Sequence, residues 1–113
     1  MTDRELLNPP GVHAPQAHYA QVARVGDTLY ISGQLAIDRD GRTVGIGDVR
    51  EQTRQCYRNL AAIVEYFGGT LANIVKTTIF LTHWSYRPIV SAVRDEFYPS
   101  GPYPTSTMVV VQS

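Results

Sequence analysis

The segment Ile74-Val75-Lys76-Thr77-Thr78-Ile79-Phe80-Leu81 limits what this chain can become more than any other. It is rich in β-branched residues and is apolar or threonine on both faces, which reads as a central strand with neither face in water. Each face of such a strand has to be covered by another layer. A chain of 113 residues fits one domain, residues 1–113, with one core and no internal boundary. Its two predicted helices can cover one face of the sheet. Nothing remains for the other, so copies of the chain are expected to pack their sheets together as an obligate oligomer.

Asp48 to Phe67 carries the clearest helical pattern. Asp48 can accept from the first free amides, and Glu51 three residues on completes a capping-box pattern. Val49, Cys56, Leu60, Ile63, Val64 and Phe67, with Thr53 filling the gap, draw one buried stripe, and Gly68-Gly69 ends the helix. Cys56 falls on that stripe and reads as a packed thiol rather than a reactive one. Arg50, Arg54, Gln55, Arg58 and Asn59 make the opposite, solvated face. Ser85 to Tyr98 is the second helix, with Pro88 in its first turn, Ile89, Val93 and Phe97 at intervals of four, and Pro99 as its stop. Tyr19–Val25 and Thr28–Ser32 alternate around Gly26-Asp27 and predict a hairpin. Residues 1–18 read as an irregular lead-in, residues 35–47 as turns with room for one very short strand pair, and Thr105–Gln112 as the last strand.

The stretch Tyr30-Ile31-Ser32-Gly33-Gln34 ends a strand in a hydroxyl, a glycine and an amide. That ending fits the floor of a pocket, where glycine lets a ligand approach and small polar groups surround it. It also fits a plain turn leaving a strand. Elsewhere the chemistry is sparse. Ten basic and ten acidic residues balance to zero, so no global field recruits nucleic acid or an anionic membrane. Cys56, the single cysteine, cannot form an internal disulfide and suits a reducing compartment, with the cytoplasm as the default. No apolar run approaches the ~20 residues of a membrane span. His13 and His18 read as surface loop histidines, with no third ligand at metal spacing. Ser32 lacks a Gly-x-Ser-x-Gly elbow, and Gly45-x-Gly47 lacks the third glycine of a dinucleotide loop. No cofactor or metal is called for.

Taken together, Tyr19-x-Gln21, Leu29-Tyr30-Ile31-Ser32-Gly33-Gln34, Ile74 to Leu81 and the proline-led last strand resemble the reactive-intermediate deaminase family (Rid, YjgF-like) over nearly the whole chain. The resemblance implies an α+β, chorismate-mutase-like fold, a mixed sheet with two helices packed on one face. It also implies a homotrimer with small-molecule clefts between subunits and hydrolysis of enamines or imines to ammonia and a keto acid. Carried over, the cleft would be lined by Tyr19, Ser32, Gly33, Ser91, Ser106 and Met108. The family's closing strand would lie beyond Ser113. The family's active members carry an arginine in a Pro-x-Arg-Ser/Thr motif, and Pro104-Thr105-Ser106-Thr107 places Ser106 there. A serine hydroxyl offers one neutral donor where a guanidinium pairs a carboxylate bidentately, and charge-assisted bonds contribute about 1.5 to 3 kcal/mol. Arg24, Arg87 and Arg94 are the candidates to supply the cation instead. Two functions follow: a divergent imine or enamine deaminase, whose catalytic residues the resemblance leaves open, or a non-catalytic ligand-binding or regulatory trimer.

Overall fold

The structure, a computed structural model, describes residues 3–112. Gly26, at φ 59°, turns the chain between Val22–Val25 (β2) and Thr28–Ile31 (β3), which pair antiparallel with Val25 opposite Thr28 and Val22 opposite Ile31. Glycine takes that backbone conformation without penalty, so the predicted hairpin forms where the sequence puts it. Arg4–Leu7 (β1), read above as part of an irregular lead-in, is instead a strand paired antiparallel to β2. Its four residues carry too little pattern to register as a strand. The free edge of β2 supplies the hydrogen bonds that make it one.

The long helix, Val49–Tyr66 (α1), begins as expected: Asp48 Oδ1 accepts from the Glu51 amide at 3.1 Å. The second half of the capping box does not form, because the Glu51 carboxylate is engaged by Arg54 and Arg58 at 3.1 and 3.0 Å. Gly68, at φ 85°, turns the chain out of the helix, and the Gly69 amide caps the Val64 carbonyl at 2.9 Å. Lys76–Leu81 (β4) follows, then Arg87–Phe97 (α2) with proline in its first turn, then Thr105–Val110 (β5), parallel to β4. The short pair expected within 35–47 is a bridge between Ile37 and Thr43.

The strands form two sheets, β1-β2-β3 and β4-β5, the first of which packs its apolar residues against Ile63 and Ala62 of α1. One core gathers Val12, Val22 and Ile63 with Leu7, Leu29, Ile31 and Phe67 around them; the other gathers Tyr57, Val93 and Tyr98 with Leu60 and Phe97. The Tyr57 and Phe97 rings stack at 5.2 Å and join α1 to α2. Among the described residues β4 pairs only with β5, and it borders a trough that β3 also lines. Its Thr77, Ile79 and Leu81 turn toward the helices, while Phe80, 66% exposed, points out of the opposite face. Tyr30 of β3, 63% exposed, likewise points away from the core residues Leu29 and Ile31.

Candidate functional site

Just past β3, a chain of polar side chains holds the backbone in place. Ser32 Oγ donates to the Ala20 carbonyl at 2.6 Å, and its amide donates to the Gln21 carbonyl at 2.9 Å. Gln21 is fully buried and makes three further bonds: its amide to Asn8 Oδ1 (2.9 Å), Nε2 to the His13 carbonyl (3.1 Å), and Oε1 from Gln34 Nε2 (3.0 Å). Burying an amide side chain without partners is costly, so this saturation fixes the end of the hairpin against the lead-in. Gln34 Oε1 is buried with no partner among the described residues. His13, expected at the surface, is buried. It is 5% exposed, with Nδ1 donating to the Ala14 carbonyl at 2.7 Å, because the lead-in packs down onto the hairpin.

Gly33 stands exposed beside Ser32, and a Cβ there would meet nothing within 4 Å. Packing within the chain therefore does not require glycine. Its effect is to leave the Ser32 position open to approach. Tyr19, 42% exposed, adjoins the Ala20 that holds Ser32, and its Oη lies 3.5 Å from the Gln16 amide. Tyr19, Ser32 and Gly33 thus come together at one end of the hairpin.

Ser32 and Gly33 also open onto the trough between β3 and β4, a space of about 990 Å³ with Cys56, Leu60, Val64 and Phe67 of α1 in its lining. The Cys56 thiol donates to the Gln34 carbonyl at 3.3 Å, and burial pushes its pKa up to about 11, so it stays a neutral thiol at physiological pH. Asn59, placed above on the solvated face, is 2% exposed: its Nδ2 donates to the carbonyls of Leu35 (3.1 Å) and Ile37 (3.0 Å). Helical periodicity counts Asn as polar. It cannot show that a neighbouring loop presents carbonyls to be satisfied.

Tyr19, Ser91, Ser106 and Met108 do not line that trough. Met108 sits opposite Ile79 and Val110 opposite the buried Leu81, so Ser106, Met108 and Val110 share one face of β5, on which Met108 is half-buried and Ser106 and Val110 are exposed. Ser91 lies half-buried on α2, above that sheet. Within one chain the predicted residues therefore fall into two sets, Tyr19-Ser32-Gly33 and Ser91-Ser106-Met108.

The three arginines differ in placement. Arg24 is exposed and donates Nε to the Gly26 carbonyl at 3.2 Å, at the hairpin turn. The Arg87 guanidinium lies 5.6 Å from the Trp84 ring centre, at the entrance to α2. That of Arg94 lies 5.2 Å from the Tyr103 ring centre, next to the start of β5.

Comparison with known proteins agrees with this architecture. The model of the endoribonuclease L-PSP family matches residues 11–113. The chain belongs to that family. It is 30% identical over 111 residues to a 2-iminobutanoate/2-iminopropanoate deaminase of Dermatophagoides farinae, covering 98% of this chain and 86% of the mite protein. Among solved structures it is similar to the Rid-family protein YyfA of Yersinia pestis, with a TM-score of 0.91 and 28% identity over 98% of this chain and 88% of that one. It is also similar to the YjgF gene product of E. coli, with a TM-score of 0.86 and 28% identity over 95% and 85% of the two chains. The α+β fold expected from the Rid resemblance is the fold found. No helix among the described residues is long and apolar enough to cross a membrane.

Proposed function

We propose that this Rid-family protein is a cytoplasmic homotrimer that hydrolyses a reactive imine or enamine to ammonia and a carbonyl compound without a cofactor. The observation that carries the reading is the near full-length similarity to an imine deaminase. Geometry adds a mechanism. With its proton committed to the Ala20 carbonyl, Ser32 Oγ keeps its lone pairs free to accept from a water or an iminium N–H held over the open Gly33 position. Water adds across the C=N bond to give a carbinolamine, which expels ammonia and leaves the keto product. Holding water and substrate together accounts for the acceleration, because an iminium is already electrophilic. The separation of the two residue sets within one chain fits a cleft in which Tyr19, Ser32 and Gly33 of one subunit face Ser91, Ser106 and Met108 of the next. The exposed Tyr30 and Phe80 fit sheets packed face to face.

The test is ammonia release from freshly generated 2-iminobutanoate. The parent should exceed the buffer rate and Ser32→Ala should fall toward it; a parent no faster than buffer on any amino-acid-derived imine would sink the reading. One observation favours the second reading, a ligand-binding trimer without chemistry: Ser106 is exposed and brings no charge of its own to β5. If Ser106→Arg creates deaminase activity that the parent lacks, this second reading holds.

A further inference from the structure

We propose that the trough bordered by β3 and β4 is a slot for one added β-strand, filled by an extended segment of a separate polypeptide with apolar residues at alternate positions and an acidic end. The lining of this space of about 990 Å³ runs without a break through residues 28–35 and again through residues 73–80. Successive side chains of a strand point to opposite faces, so a groove on one face takes every second residue. Unbroken runs mean that the edges of β3 and β4, with their backbone N–H and C=O groups, border the trough. Among the described residues β3 pairs only with β2 and β4 only with β5, so each strand keeps one edge without a partner. A row of unpaired backbone groups is a template for another strand. Here two such rows border one space, and Cys56, Leu60, Val64 and Phe67 of α1 add an apolar wall to it.

The two edges decide the kind of occupant. An apolar small molecule would cover the α1 wall but take both edges out of water without hydrogen bonds, at a cost for every group. One extended segment satisfies both edges at once, with alternate side chains on the α1 wall and the others on the side of the exposed Tyr30 and Phe80. The lining run of residues 73–80 extends over about 26 Å, a length that about seven residues of strand cover. Arg24, Asp27 and Lys76 are the charged residues of the lining, two cations against one carboxylate. Lys76 is exposed and makes no ion pair among the described residues, which suits an acidic residue at that end of the occupant. Every strand among the described residues is already paired within its own sheet, so a second copy would fill the trough only by giving up one of its own strands. A separate polypeptide leaves both folds intact.

The probe is a blocked heptapeptide with valine at its second, fourth and sixth positions, threonine between them and glutamate at both ends, titrated into the full chain and followed by NMR. In the protein alone, the amides of β3 and β4 that do not pair with β2 or β5 should exchange freely with solvent, and saturating peptide should protect them on both strands. Methylating the peptide's backbone nitrogens along one edge keeps its side chains and removes those bonds, and should weaken binding by about a hundredfold or more. Lys76→Glu should weaken it by about two- to fivefold, and a peptide with lysine at both ends should prefer the variant. Protection of both edges in the protein alone means that the trough is already filled and overturns the assignment. A methylated peptide that binds as tightly as the unmethylated one also overturns it, by making the trough a site for apolar ligands. So does a failure of both the glutamate- and lysine-ended peptides to saturate the protein at millimolar concentration.

Discussion

Replacing Asn59 with alanine tests how the candidate site is held. Asn59 is the point at which α1 grips the segment leaving Gln34: Nδ2 reaches the carbonyls of Leu35 and Ile37 at 3.1 and 3.0 Å, while Oδ1 accepts from Gln55 at 2.8 Å. Each neutral bond contributes about 1 kcal/mol net, and a buried carbonyl left without a partner costs about 1 to 3 kcal/mol. Ile37 is 7% exposed, so water replaces its bond poorly, and the loss should total about 2 to 3 kcal/mol. That is a large share of the roughly 5 to 15 kcal/mol that stabilises a domain. At about 2.1 cal/mol/K of unfolding entropy per residue, it lowers Tm by roughly 10 °C for a chain of this size. The assay is denaturant unfolding at one fixed protein concentration, since an oligomer's apparent stability depends on it. Asn59→Asp, of nearly the same shape, should be worse at neutral pH because it sets a carboxylate against two carbonyls. Its folded pKa would rise above the unfolded value, so its penalty is smallest below about pH 4 and grows as pH rises. A loss under about 1 kcal/mol for Asn59→Ala would refute the reasoning, since it would mean water satisfies both carbonyls.

Two further predictions concern the packing beneath and outside the site. Burial, with the neighbouring Tyr98 adding to it, pushes the Tyr57 pKa up to about 12. A folded value above the unfolded one means stability is held below about pH 10 and lost as pH climbs toward 12. Unfolding measured across that window should flatten in Tyr57→Phe, and an unchanged slope would remove Tyr57 as its source. Phe80→Glu places a charge on the open face of β4, and light scattering should show the assembly dissociating while circular dichroism stays native. A parent that is already monomeric at micromolar concentration, or a variant that remains assembled, would reject the idea that copies cover this face.

The elements legible in advance were those whose signal is local. Asp48, the apolar stripe of α1 and Gly68 delimit that helix because capping and periodicity act within a turn or two. Gly26 fixes the hairpin because its positive φ is a property of one residue. The misread residues share a different origin. Arg4–Leu7 is a strand because β2 offers it an edge, His13 is buried because the lead-in folds back, and Asn59 is buried because a loop far along the chain needs donors. None of those causes lies within reach of the residue it acts on.

The candidate site divides along the same line. Sequence alone determined the family and the pairing of Ser32 with Gly33, because a strand ending in a hydroxyl and a glycine is a local pattern. It also picked out Ser106 on the last strand, and it named three arginines without being able to rank them. Tertiary structure alone decided that Ser32 spends its proton on Ala20. It also decided that the predicted residues separate into two sets within one chain and that Arg94 is the arginine set against the loop leading into β5. The physical reason is one of range. Propensity and periodicity are written into a few consecutive residues, whereas the direction of a hydroxyl proton and the position of a guanidinium depend on partners that only the folded chain brings near.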